Sequence, residues 1–171
     1  MSAMFVLTAP TLRLASAFSA FADDYAGAGD RRYEDAARDV AAYVRRCENH
    51  AAGEALPSGW VPQSTFWLVR DDQCIVGCSR LRHRLTPALS CEGGHIGYDI
   101  RPGERGHGYG HVLLRMTLRA ARLRGLQEVL ITADEANAPS WKLIERAGGR
   151  READDFIGRH GPFRRYWVPT V

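Results

Sequence analysis

Six residues, Arg105-Gly106-His107-Gly108-Tyr109-Gly110, lie between a strand-like run and a long amphipathic stretch and constrain this chain more than any other feature. Glycines at alternate positions leave backbone N–H groups uncovered and permit left-handed turns. The helix after the bend adds unpaired N–H donors and the positive end of its dipole. Such a bend suits a phosphate or pyrophosphate. Upstream, His95 to Ile100 reads as a strand, and Pro102-Gly103 opens a turn. Downstream, Tyr109, Val112, Leu113, Met116, Ala120 and Leu123 share one helical face, with Arg115, Arg119 and Arg122 on the other. The helix is therefore expected to pack on a sheet with its N-terminus toward a ligand.

Three phosphate-binding readings compete for such a bend. A Walker loop needs Gly-Lys-Ser/Thr at the helix start, but the one lysine, Lys142, lies far away. The dinucleotide fingerprint G-x-G-x-x-G can begin at Gly106 and Gly108, yet its third glycine falls on His111, too large for close helix–strand packing. Some ninety residues precede the strand before the bend, and the chain beyond it is too short for two mononucleotide-binding halves. A nicotinamide-dependent oxidoreductase thus stands as a distant alternative.

The third reading is a resemblance. The six residues resemble the R/Q-x-x-G-x-G/A signature of the GCN5-related N-acetyltransferase (GNAT) superfamily. After the apolar run Val129-Leu130-Ile131, the stretch from Asn137-Ala138-Pro139-Ser140 through Leu143 to Gly148-Gly149 resembles the superfamily's N-x-x-S/A-x-x-L helix. The resemblance implies an α/β fold with a mixed sheet, the GNAT acyl-CoA N-acyltransferase fold, as one domain over residues 1–171. It implies acetyl-CoA (coenzyme A) as co-substrate, no metal, and direct acetyl transfer to an amine in a ternary complex. The pyrophosphate would lie on Arg105, Gly106, His107, Gly108, Tyr109 and Gly110, and the pantetheine arm on strand backbone at Tyr98, Ile100 and Arg101. Asn137 and Ser140 match polar positions near the pantetheine, although Asn137 also suits a plain N-cap. Many relatives carry glutamate where His95 stands. His95 is accordingly the candidate base, directly or through water, with Asp99 or Glu92 assisting; shaping the pocket alone is the competing role. Ile144 holds the place where many relatives have a tyrosine that protonates the thiolate. That departure motivates a rival reading, a non-catalytic acyl-CoA-binding module.

Composition narrows the partners. At 171 residues the chain is long enough for one compact core. Its net charge of +3 rests on arginine interspersed with acids, so a basic stripe for nucleic acid is not favoured. The start MSAMFVLTAP does not resemble a signal peptide and no window approaches a membrane span, so a cytoplasmic location is expected. Cys47, Cys74, Cys78 and Cys91 lack C-x-x-C spacing and read as reduced structural residues. The acceptor is expected to be a small-molecule or peptide amine, and a homodimer through the last hairpin is plausible by family habit.

In order, the pattern predicts an edge strand or two short pieces over Phe5 to Leu14, and helices over Ala15 to Ala26 and Tyr33 to Ala52. Asp23, Asp24, Glu34 and Asp35 there suit either a cationic substrate or a solvated face. Thr65 to Val69 and Cys74 to Leu81 form a hairpin about Asp71-Asp72-Gln73, with Arg80, Arg82 and Arg84 alternating on one face. Pro87 to Gly94 reads as a loop, and His95 to Ile100 and Glu128 to Thr132 as parallel neighbours across a right-handed crossover. A helix from Asn137 to Gly148 and a hairpin about Gly161-Pro162 complete the order β-α-α-β-β-β-α-β-α-β-β.

Overall fold

The computed structural model describes residues 3–170, so Met1, Ser2 and Val171, at the ends of the expected 1–171 domain, lie outside the described residues. Strand β1 (Phe5–Thr8) ends before Pro10, and a single 3-10 turn at Leu12–Leu14 leads into α1 (Ala15–Gly27). The second expected helix is two: α2 (Glu34–Arg38) and α3 (Val40–Ala52). Asp39 causes the break by leaving helical geometry (φ −142°) and turning its carboxylate back to accept the Ala42 N–H, capping α3. The stripe from Tyr33 to Val44 spans the break, which is why periodicity alone joins the two.

Strands β2 (Gln63–Arg70) and β3 (Cys74–Arg82) form the expected hairpin, with Asp71 and Asp72 both at positive φ in a turn that matches strand twist. The expected loop before the central strand holds one short helix, α4 (Pro87–Cys91), capped by the Thr86 hydroxyl. Strand β4 (Ile96–Ile100) pairs with β3, giving an antiparallel sheet in the order β1-β2-β3-β4. After α5 (Tyr109–Leu123) come β5 (Glu128–Asp134), α6 (Ala138–Arg146), β6 (Arg150–Arg151), β7 (Phe156–Gly158) and β8 (Gly161–Pro169). Both β5 and β6 pair with β8, forming a second sheet, and β7 joins β8 through a turn at Arg159-His160 rather than at Gly161-Pro162.

The relation of β4 to β5 corrects the expected parallel pair. The two strands share no ladder, and they meet where the His95 N–H donates to the Leu130 carbonyl at 2.7 Å. His95 is the pivot. A residue in a regular strand directs N–H and C=O to the same neighbour, but here the carbonyl accepts from the Arg82 N–H of β3 at 2.8 Å. Gly93 (φ +109°) and Gly94 (φ +61°) supply the preceding twist, and a Cβ on Gly94 would drive into the Leu130 carbonyl. The sheet therefore splits past His95.

Helix α5 covers one face of the first sheet through Leu113, Leu114, Thr117, Leu118 and Ala121. That stripe is rotated from the expected one, and Leu123, the last residue of the helix, is 90% exposed. The other face carries α1 to α3 on an aromatic core. Phe18 stacks on Trp67 and Tyr43 with ring centres 4.9 Å away in each case. Each fully buried ring of this kind contributes about 1.5–3 kcal/mol over its exposed state.

Candidate active site

The glycine bend closes one end of the split. Gly106 and Gly108 both sit at φ +81° with nothing within 4 Å of where a Cβ would stand. The N–H groups of Gly106, His107 and Gly108 donate to no backbone carbonyl among the described residues. Gly108 is the N-cap of α5, so these donors stand at the positive end of a helix of 15 residues. Gly110, inside the first turn, lets α6 approach: a Cβ there would stand 3.1 Å from Leu143. Arg105 leans away from the bend, its Nε donating to the Ile100 carbonyl at 3.2 Å. His107 stacks on Tyr109, whose hydroxyl accepts from Arg70 at 3.1 Å.

The edge of β4 facing the split has no strand partner from Ile96 to Ile100 among the described residues. Tyr98 and Ile100 lie on it. Arg101 is past the edge: its N–H returns to the Val76 carbonyl, and its guanidinium pairs with Asp24 at 2.6 Å. On the α6 side, the Tyr98 hydroxyl lies 2.8 Å from Ser140 Oγ, and burial pushes its pKa up to about 12. The Asn137 side chain accepts the Ser140 N–H at 3.2 Å, a capping bond. Asn137, Ser140 and Tyr98 thus form one polar chain beside the split. Ile144 is fully buried and offers no hydroxyl.

His95, Asp99 and Glu92 are not brought together. His95 is 7% exposed, and its Nδ1 accepts the Leu130 N–H at 2.9 Å. An N–H donor there requires a lone pair on Nδ1, so the neutral ring carries its hydrogen on Nε2. Burial, and then the neighbouring Arg82 charge, hold its pKa below the ordinary value. A proton taken at Nδ1 would cost the Leu130 bond. Asp99 faces α1 and α2, where it receives the hydroxyls of Tyr25 at 2.8 Å and Tyr33 at 2.7 Å and pairs closely with Arg80. Glu92 accepts the Arg159 N–H at 3.3 Å across the β7–β8 turn and pairs with no cation among the described residues. It lines a hollow of about 200 Å³ with Cys91, Phe156, Phe163 and Arg165.

Reading along the chain misses Tyr25, Tyr33 and Arg80, which converge on Asp99. Burial raises the pKa of both tyrosines, so their hydroxyls stay protonated and donate. The available signal is the alternation of Arg80 and Arg82 on one strand face, since each buried guanidinium must be met by acceptors. Arg82 is met by the Gly93 and Gly94 carbonyls at 3.1 and 2.9 Å. All four cysteines are free, and no group of three His, Cys, Asp or Glu among the described residues is placed to hold a metal ion.

A mixed α/β protein whose sheet splits beside a glycine bend, with helices on both faces, is the class that the fold and the site define. The chain belongs to the acetyltransferase (GNAT) family, whose model matches residues 30–149. It is similar to the mycothiol acetyltransferase of Acidothermus cellulolyticus, 26% identical over 117 residues, 62% of this chain; the chain spans 36% of that relative's length. In fold it is similar to RimJ of Mycobacterium smegmatis, solved in complex with CoA-disulfide, with a TM-score of 0.70 at 18% identity over 96% of this chain and 81% of that one. It is also similar to yncA of Salmonella typhimurium, solved with its cofactor acetyl-CoA, with a TM-score of 0.63 at 13% identity over 98% and 94% of the two chains.

Proposed function

We propose that the protein transfers the acetyl group of acetyl-CoA to an amine by direct attack in a ternary complex. The observation that carries this reading is the bend, with three undonated N–H groups at a helix start beside the unpaired edge of β4. A pyrophosphate fits the first and the amides of a pantetheine arm fit the second. Backbone N–H groups of that edge also suit the oxyanion formed when nitrogen attacks the thioester carbonyl, worth about 3–4 kcal/mol per well-placed donor.

An alkylammonium must lose a proton before it attacks. With Nδ1 of His95 engaged and Asp99 held by three donors, neither side chain is free to take that proton, and it leaves through water to bulk; His95 is a positioning residue that holds β4 to β5 at the start of the split. The thiolate leaves beside Tyr98, which remains a hydroxyl donor at neutral pH and can solvate a group whose thiol pKa is near 8.5. Tyr98 thereby takes the part that Ile144 cannot play.

Titration calorimetry with acetyl-CoA, then thiol release over a panel of amines, tests the reading. Binding with turnover supports it. Ile144 favours the second reading, an acyl-CoA-binding module, and binding without turnover on any amine would establish that one instead. Absence of binding would mean that the bend holds another ligand, with protection by NAD(H) pointing to the dinucleotide alternative.

A further inference from the structure

A groove of about 260 Å³ runs between α2, α3 and the β2–β3 face, and its walls include Arg32, Arg46, Arg80, Tyr33, His50 and Thr65. Its charge is the reverse of what the acids of the first helices suggest. Asp24 is taken by Arg101, Glu34 by Arg38 at 2.7 Å, and Asp35, the one carboxylate lining the groove among the described residues, by Arg38 at 2.9 Å, with its side chain 93% exposed. Arg80 is neutralised by Asp99, and Arg32 is shared between Asp30 at 2.7 Å and Asp99 at 3.8 Å. Arg46 differs from both. It has no carboxylate within 4.0 Å among the described residues, and its guanidinium lies 5.5 Å from the Tyr43 ring on the groove wall.

The groove adjoins β4 at one point, Arg80. Arg80 on its floor is the register partner of Gly97 on β4, and opposed residues of an antiparallel pair present their side chains to the same face. Gly97 presents none, and nothing stands within 4 Å of its missing Cβ. Between the paired Arg80 and the unpartnered edge of β4 there is thus an opening one residue wide.

We infer that the acceptor is a small amine that also bears a carboxylate or phosphate, its anion bound by Arg46 and Arg32 and its nitrogen reaching β4 through the opening at Gly97. This rests on the acetyl-transfer reading above. A guanidinium presents a planar fork of donors matched to either anion. A polyamine entering the same groove would meet three guanidinium groups and, among the described residues, no free carboxylate. The volume is below that of a drug-sized pocket and suits a ligand about the size of an amino acid.

The test is thiol release at saturating acetyl-CoA from L-glutamate, phosphoethanolamine, ethanolamine and spermidine, with calorimetric binding of the same four. The two anionic amines are expected to exceed the other two in kcat/KM by about tenfold or more, the effect of one charge-assisted contact. Their ranking tells carboxylate from phosphate. Arg46 is exposed on α3, so Arg46→Glu and Arg46→Gln should fold, and both should raise KM for the anionic amines while leaving kcat and the KM for acetyl-CoA unchanged. Faster turnover of spermidine or ethanolamine overturns the inference and leaves acetyl transfer standing. An Arg46→Glu variant with unaltered KM overturns it equally, as does failure of both anionic amines to bind or react. Binding of an anionic amine that Arg46→Glu abolishes, with no thiol release from any amine, supports the groove and removes the transfer reading.

Discussion

The two flanks of the split are built on opposite principles. On the bend side the chain removes matter: glycines at 106 and 108 leave open space, Gly110 lets α6 come close, and the working groups are backbone N–H donors. On the α1–α2 side it adds matter, with Tyr25, Tyr33, Arg80 and Asp99 joined in a half-buried network. A site of backbone tolerates change in its surroundings and depends on a few glycines. A site of converging side chains fails as a unit, because removing one charge strands the others.

The largest effect should come from the crowded flank. Asp99→Ala leaves the Arg80 guanidinium half-buried without its counter-charge and is expected to cost about 3–5 kcal/mol in denaturant unfolding; a loss below about 1 kcal/mol would show that the network is solvated and the contrast overstated. On the open flank, Gly108→Asp should cost only about 1–2 kcal/mol of stability, the strain of a side chain at φ +81°, yet raise the acetyl-CoA Kd about 100-fold by calorimetry, through charge opposed to pyrophosphate. Unchanged affinity would remove the bend from the site.

At the pivot the prediction concerns pH. The lowered pKa of His95 means that its protonation opposes folding. The unfolded chain takes up protons near pH 6.5 before the folded one does, so the stability that His95 confers is complete above that pH and falls as pH drops. His50 and His83 are lowered in the same direction, chiefly by burial, so His95→Asn should flatten only part of the acid-side slope. A slope identical in the variant would show that Nδ1 is not held as described. The smallest effect belongs to Arg38→Ala. Its pairs with Glu34 and Asp35 are exposed, and a change of less than about 0.5 kcal/mol is expected.

The same contrast explains how much of the molecule is legible in its sequence. The bend, the helix after it and Asn137 to Ser140 are legible because local spacing alone specifies them. The β2–β3 hairpin is legible through its turn residues. The network on Asp99 is not, since its members are up to 74 positions apart along the chain and each reads locally as an ordinary core tyrosine or strand arginine. The break at Asp39 stays hidden because a capping aspartate and a helical aspartate look alike until the backbone turns. Alternation makes the split look like a continuous parallel pair, because nothing in the pattern of His95 to Ile100 says that one residue will face two neighbours.

That pivot also bears on how the two strands stay apart. Two diverging strands ordinarily risk zipping together, each new backbone bond making the next easier. Here the first tooth is missing, since the His95 carbonyl is already spent on β3 and the Leu130 amide on an imidazole. Annealing of β4 onto β5 would have to start by breaking a buried bond, so the gap persists through thermal motion, and an incoming thioester finds a slot standing ajar.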